Sequence, residues 1–67
     1  MNNFGQRLKF LRLSRNLTQA QLAEMTGLHV ATIKRLERRG TRPGLSTVIN
    51  IADKLGIEPK ILLGVTE

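Results

Sequence analysis

The stretch over residues 18–42 constrains the fold more than any other part of the sequence, because it carries two helix-start signals separated by one glycine. Thr18, followed by Gln21 three residues later, has the pattern of a capping box, in which the two side chains satisfy each other's backbone amides at a helix start. Gly27 stands where this helix must end, since a left-handed residue costs glycine least. The stretch therefore predicts two short helices packed across a tight turn.

The second helix of the pair has a similar start. Leu28 and Ile33 lie on either side of that start, as a hydrophobic staple requires. Ala23 is small where a larger apolar residue would be usual, which lets the second helix cross the first closely. We predict helices over about residues 19–26 and 29–38.

Length and composition narrow the class of protein. A chain of 67 residues without cysteine has no disulfide or cysteine-zinc site to add stability, so its core must come from helices packed on helices. With a single histidine and no cysteine, no metal or cofactor site is predicted. No apolar run is long enough to span a membrane and no signal-peptide pattern is present, so we expect a cytoplasmic location.

The charge of the chain indicates a polyanionic partner. Eleven Lys and Arg against five Asp and Glu give a formal net charge of +6. Five of the eleven cations lie in or just after the second helix of the pair: Lys34, Arg35, Arg38, Arg39 and Arg42. Such a cluster attracts and steers nucleic acid. RNA and single strands need exposed aromatic rings for stacking, and this chain has only two Phe and no Trp or Tyr, so duplex DNA is favoured.

Three further helices are predicted around this pair. The first, over residues 4–15, has Phe10 and Leu13 at the edge of its apolar stripe, and we expect Phe10 to serve the core together with Phe4. Another helix, over residues 45–55, is followed by a final short turn. Its core stripe is Leu45, Val48, Ile51, Ala52 and Leu55.

The helix pair also carries specific residues at fixed spacing. In order they are Gln19, Ala23, Gly27, Ile33, Leu36 and Glu37, followed by a basic turn that contains Pro43. With these residues the chain resembles the phage repressor and Cro type of helix-turn-helix protein, the XRE family, over about residues 4–62. The resemblance implies an all-α, compact five-helix, lambda-repressor-like domain over residues 1–67. It places the helix-turn-helix at about residues 18–38, with the third helix in the DNA major groove.

The resemblance places the first turn of the third helix against base edges. The residues there are His29, Val30, Ala31 and Thr32, with Arg35 one turn later. Arg35 can form a bidentate pair with guanine, whereas Val30 or Ala31 can offer only apolar contact to the thymine methyl group. His29 stands where the family usually has a serine or threonine cap, so it is either a DNA contact or a plain surface histidine.

Phosphate contacts are expected from this basic segment and from the start of the second helix. The candidates are Gln19, Lys34, Arg38, Arg39 and Arg42. Gln19 lies at a helix N-terminus, where free amides favour a phosphate, and the resemblance implies that it also supports the third helix. Gly40 stands one residue later than the family's usual glycine, which shifts the loop and leaves all three arginines as candidates.

The resemblance also implies an ion pair between Arg12, on the first helix, and Glu37, at the end of the third. The alternative for Arg12 is a phosphate contact. Loss of one member of a buried pair leaves the other charge uncompensated. We therefore expect Arg12 to matter for stability before it matters for DNA affinity.

The function indicated is sequence-specific binding of double-stranded DNA by a transcriptional regulator, most simply a repressor that occludes a promoter. One short turn cannot bury Ile61, Leu62 and Leu63 together, so Ile61 and Leu63 form either an unpartnered chain end or a dimer contact. A homodimer would require an approximately palindromic operator. The alternative is an antitoxin-like or regulatory module whose main partner is another protein. No paired acids, nucleophile with base or phosphate loop indicates an enzyme.

Overall fold

The computed structural model describes residues 3–64, which form five helices and no strand. The helices are α1 (Phe4–Ser14), α2 (Gln19–Thr26), α3 (Val30–Leu36), α4 (Leu45–Leu55) and α5 (Pro59–Leu63). The predicted all-α fold is therefore confirmed. The predicted domain limits at residues 1 and 67 lie outside the described residues and stay predictions. Between residues 3 and 64, no helix is both long enough and apolar enough to cross a membrane.

Local contacts fix both ends of α2. The amide of Gln21 donates to Thr18 Oγ1 at 3.0 Å, and the amide of Thr18 donates to Gln21 Oε1 at 2.8 Å, which is the predicted capping box. Gly27 has a φ of +74°, and the amide of Leu28 bonds the carbonyl of Ala23 across the turn. The left-handed residue thus ends α2 where the sequence predicted.

The predicted extension of the next helix to residue 38 is wrong, because α3 ends at Leu36. The amide of Arg38 bonds the carbonyl of Arg35, three residues back, at 3.1 Å, which tightens the chain into a turn. The hydroxyl of Thr41 donates to the same carbonyl at 2.8 Å. Gly40, with a φ of +82°, then reverses the chain. The carbonyl of Arg35 therefore accepts its hydrogen bonds from the following loop instead of from another helical turn.

The core is a single apolar cluster to which every helix contributes. Its buried residues are Leu8, Leu22, Ala23, Ile33, Leu36, Val48, Ile51, Ala52, Leu55 and Leu62. Full burial of one leucine or isoleucine side chain stabilises the folded state by roughly 1.5–3 kcal/mol. In a chain with no cysteine, this cluster supplies the main stabilisation of α3 and its neighbours.

Two residues assigned to the core from sequence are exposed instead, so those predictions are wrong. Phe10 is 69% exposed and Leu45 is 67% exposed. On α1, Leu8 and Arg12 point inward, and Phe10 lies about 200° around the helix from Leu8, which turns it outward. Leu45 is the first residue of α4, and the helices that cover Val48 do not extend over it.

Candidate nucleic-acid interface

α3 turns two side chains into the core and leaves its opposite side open. Ile33 is 0% exposed and Leu36 is 3% exposed. At about 100° per residue, Ala31 and Arg35 lie on the side of the helix opposite to these two. The exposed residues of α3 are Val30, Ala31, Lys34 and Arg35, whereas Thr32 is half-buried at the edge. The outward side of α3 therefore combines a small apolar strip with two cations.

His29 is the N-cap residue of α3, with an extended backbone and an exposed side chain. Its side chain makes no capping hydrogen bond, in contrast to Thr18 on α2. An N-cap serine or threonine would accept a hydrogen bond from an amide of the first turn. The imidazole thus stands at the beginning of the open side of α3 without a structural role in the cap.

The predicted cationic residues of this segment are all exposed to solvent. They are Lys34 and Arg35 on α3 and Arg38, Arg39 and Arg42 in the following loop. None of the five forms an ion pair with a carboxylate among residues 3–64. Because these five exposed cations form no ion pair within the described part of the chain, their charges produce a positive field on this side of the molecule.

Behind α3, a buried network joins the first three helices. Arg12 Nε donates to Glu37 Oε2 at 2.6 Å, and Arg12 Nη2 donates to Glu37 Oε1 at 3.1 Å. The two side chains are only 7% and 4% exposed. Arg12 Nη1 also donates to the carbonyl of Leu17, just before α2, at 2.7 Å. One guanidinium thus fixes the start of α2 and the end of α3 relative to α1.

Gln19 completes this network from the first position of α2. Its Nε2 donates to Glu37 Oε1 at 3.0 Å, and the residue is half-buried. One proton of the side-chain amide is therefore already used inside the protein. A phosphate contact by Gln19, as predicted from the sequence, would come from its backbone amide or from the second proton on Nε2.

Gly5 is a supporting residue that the sequence interpretation missed. A Cβ atom placed on Gly5 would lie 2.6 Å from the carbonyl carbon and oxygen of Glu37. Only a glycine allows the backbone of α1 to approach the end of α3 so closely. The signal in the sequence was a glycine inside a helix, which is unfavourable unless packing requires it.

A second missed contact holds the other end of the helix pair. Asn50 Nδ2, on α4, donates to the carbonyl of Thr26 at 2.9 Å. Thr26 Oγ1 bonds the carbonyls of Leu22 and Ala23 within α2. The polar groups at the end of α2 are therefore satisfied internally, and the turn into α3 is held against α4.

The predicted dimer-contact residues lie on the outside of α5. Ile61 is 47% exposed and Leu63 is 39% exposed. Leu63 also lines a groove together with Pro43. On α4, Leu45 and Ile49 are exposed as well. The structure thus leaves apolar side chains uncovered on both of the last two helices.

Among residues 3–64, no group of three His, Cys, Asp or Glu side chains could hold a metal ion.

Comparison with known proteins identifies the family. The family model described as helix-turn-helix matches residues 8–62. The chain is 42% identical over 60 residues to the immunity repressor protein of Bacillus phage phi105, covering 90% of this chain and 42% of that protein. It is 38% identical over 64 residues to control protein C.BamHI of Bacillus amyloliquefaciens, covering 94% of this chain and 79% of that protein.

Solved structures of similar fold support the same family. The restriction-modification controller protein C.AhdI from Aeromonas hydrophila matches with a TM-score of 0.82 and 37% identity, covering 88% of this chain and 89% of that one. A hypothetical transcription factor, NHTF from Neisseria, matches with a TM-score of 0.82 and 25% identity, covering 90% of this chain and 69% of that one. These relatives favour a DNA-binding regulator over an antitoxin-like protein-interaction module. The chain belongs to the XRE-type helix-turn-helix family, whose members are DNA-binding transcriptional regulators.

Proposed function

We propose that this regulator is a repressor that binds an approximately palindromic operator as a homodimer, with α3 in the major groove of each half-site. The observation that carries the proposal is the open side of α3, where Arg35 and Ala31 point away from the core beside cations that have no acidic partner among residues 3–64. The relative named an immunity repressor, of which this chain spans 42%, supports repression as the regulatory direction.

Base recognition is assigned to the beginning and the open side of α3. Arg35 has a free guanidinium fork, which suits the O6 and N7 atoms of guanine. Val30 and Ala31 form the apolar strip, which suits a thymine methyl group. His29, which does not cap the helix, and Thr32, at the helix edge, complete the set of proposed base contacts.

Phosphate binding is assigned to residues around that side of α3. The proposed contacts are Gln19, Lys34, Arg38, Arg39 and Arg42. Gln19 lies at the start of α2 and is held by Glu37, so a phosphate bound there would be fixed relative to α3. The loop arginines extend the positive surface along the DNA backbone. Phosphate contacts of this kind position the protein, whereas the base contacts provide specificity.

Dimer formation is assigned to the apolar residues of α5, Ile61 and Leu63, together with Leu45 and Ile49 on α4. Beside them, Lys60 of α5 pairs with Glu58, the N-cap residue of α5, at 3.6 Å, so these two charges offset each other within one chain. In a symmetric dimer, the two α3 helices would lie roughly 34–36 Å apart, one turn of duplex DNA. The operator would then be approximately palindromic.

Selection from a random duplex library tests the recognition part of the proposal. We expect one enriched, roughly palindromic motif and preferential binding of that motif over random DNA. Arg35→Ala should cost about 1–3 kcal/mol of discrimination at one base pair of each half-site. Arg15→Ala, which removes an exposed arginine from the end of α1, is the matched control and should keep the motif. Binding that falls steeply with salt but shows no motif would contradict the proposal.

Sedimentation equilibrium tests the dimer. The double variant Ile61→Ser and Leu63→Ser should weaken self-association and lower affinity for the full operator more than for a half-site. Leu13→Ser, an exposed leucine on α1, is the control and should leave self-association unchanged. A double variant that dimerises like the wild type would place the dimer contact elsewhere.

A further inference from the structure

A groove lies between the beginning of α1, the loop after α3 and the end of α5. It is lined by Asn3, Phe4 and Gln6, by the loop residues 39–43 and by Leu63. Its volume is about 680 Å³, within the range of about 300–1,000 Å³ that is usual for small-molecule sites. We call it the α1–loop groove. Its size and concave shape suit a small molecule.

The groove brings two cations together without a carboxylate. Arg39 and Arg42 both line it, and both are exposed. Among residues 3–64, neither forms an ion pair, and the residues that line the groove include no Asp or Glu. Each guanidinium offers a fork of N–H donors that matches a carboxylate or a phosphate. The α1–loop groove therefore favours a ligand with a negative charge.

The other lining residues make the groove amphiphilic. Phe4, Pro43 and Leu63 supply apolar surface, and Phe4 is held in place because it packs against the core. An aromatic side chain interacts favourably with a second flat ring, either stacked or edge to face. Asn3 accepts the amide of Gln6 through its Oδ1 atom, so its Nδ2 group can donate to a bound anion. A ligand that fills the groove therefore needs both an anionic group and a flat apolar part.

We propose that the α1–loop groove binds a small organic anion, in which a carboxylate or phosphate is attached to a flat ring, and that this ligand competes with DNA. The anion pairs with Arg39 and Arg42, and the ring lies against Phe4, Pro43 and Leu63. The competition rests on the proposed function, in which the same two arginines contact DNA phosphates. A guanidinium held by the ligand is not available to DNA, so the ligand lowers DNA affinity and DNA lowers ligand affinity by the same factor.

Three classes of probe separate the two parts of this ligand. The compounds 2-naphthoate and adenosine 5′-monophosphate carry both a ring and an anion, and they distinguish a carboxylate source from a nucleotide source. Acetate and inorganic phosphate carry only the anion, whereas 2-naphthamide and adenosine carry only the ring. Each compound is added to ¹⁵N-labelled protein without DNA, and NMR chemical shifts report binding. We expect saturable changes at the lining residues with at least one ring-bearing anion and much smaller changes with its two partial analogues.

Arg38 provides a matched control for the two arginines of the groove. It lies in the same loop and is also exposed, but it does not line the groove. Arg39→Ala and Arg42→Ala should each weaken binding of the ring-bearing anion roughly tenfold, as expected for the loss of a charge-assisted contact. Arg38→Ala should bind it like the wild type. Because all three residues are exposed, the unfolding curves of these variants should match that of the wild type.

Competition is measured with a labelled duplex selected for this protein, at constant ionic strength. The duplex is titrated without the ring-bearing anion and with it at about ten times its Kd, where complete competition lowers the apparent DNA affinity roughly tenfold. We expect a severalfold fall toward this limit in the wild type. The double variant Arg39→Ala and Arg42→Ala should bind DNA more weakly than the wild type, and its DNA affinity should no longer respond to the anion.

Several results would overturn the proposed site. They are the absence of saturable shifts with both ring-bearing anions, equal shifts with acetate or inorganic phosphate, and unchanged binding by Arg39→Ala and Arg42→Ala. Shifts that follow protein concentration instead of the probe would assign the groove to a second copy of the chain. A bound probe that leaves DNA affinity unchanged would overturn the competition. The titrations without DNA do not involve the proposed DNA contacts, so their failure and the failure of the proposed function are separate outcomes.

Discussion

Replacement of Arg12 by alanine is expected to lower the free energy of unfolding by about 3–5 kcal/mol, because it leaves a buried carboxylate without its main partner. In the folded protein, Arg12 makes two hydrogen bonds to Glu37 and one to the carbonyl of Leu17. The side chain of Glu37 is 4% exposed in the folded protein, so its carboxylate depends on protein groups for its hydrogen bonds. Among residues 3–64, the side-chain amide of Gln19 is the one remaining donor to this carboxylate.

The size of this loss is large for a chain of this length. At roughly 0.05–0.15 kcal/mol per residue, 67 residues correspond to a total stability of about 3–10 kcal/mol. A domain of 60–100 residues loses about 4–8 °C in Tm for each kcal/mol, so Tm should fall by more than about 10 °C. DNA affinity, measured at a temperature where the variant is still folded, should change less than stability.

Urea unfolding followed by far-UV circular dichroism measures the effect. Arg15→Ala, at an exposed position, is the matched control and should stay within about 0.5 kcal/mol of the wild type. The double variant Arg12→Met and Glu37→Leu removes both charges and should be more stable than Arg12→Ala, since an apolar pair of similar volume is often tolerated in place of a buried ion pair. The recovery is expected to be partial, because the Leu17 carbonyl and the Gln19 amide lose their hydrogen bonds to the pair. An Arg12→Ala variant as stable as the wild type, or a double variant no better than the single one, would refute the assigned role of the pair.

Three further predictions follow from other parts of the structure. Gly5→Ala should lower the free energy of unfolding, measured with urea, by about 1–3 kcal/mol, because its Cβ would clash with the backbone of Glu37. An unchanged unfolding midpoint would mean that α1 can shift away from the end of α3 without loss of stability. His29→Ser should raise the free energy of unfolding by about 0.5–1 kcal/mol, since serine can cap α3, and a loss of stability would show that the histidine has a structural partner. Leu45→Ser should change Tm little, whereas Ile51→Ala should cost about 2–5 kcal/mol; equal losses would place Leu45 in the core after all.

The sequence alone predicted the elements that depend on neighbours along the chain. The capping box of Thr18 and Gln21 and the left-handed turn at Gly27 involve residues within a few positions of each other, so their pattern can be recognised without the fold. The same holds for the limits of α2 and α4, which agree with the predicted ranges 19–26 and 45–55. The family followed from residues at fixed spacing on these elements.

The roles of individual DNA-contacting residues are a different case. The sequence proposed His29, Arg35 and their neighbours, and the structure leaves those side chains open to solvent, but their contacts with DNA stay predictions. Specificity depends on the position of each side chain relative to a bound duplex, and the separation of two half-sites depends on how two copies meet. Neither quantity is a property of local sequence.

Tertiary structure decided which apolar residues are covered and where α3 ends. Periodicity placed Leu45 on the same stripe as Val48, yet only Val48 is buried, because burial depends on how far the neighbouring helices extend. Phe10 is outside the core for a different reason: it lies about 200° around α1 from the buried Leu8, on the side that none of α2–α5 covers. α3 ends where Gly5 of α1 approaches the backbone of Glu37 and where Arg12 binds the Glu37 carboxylate, and both of these contacts come from a distant segment of the chain. Caps and turns are determined by contacts a few residues apart, whereas burial and close backbone approach are determined by segments that meet only after the chain has folded.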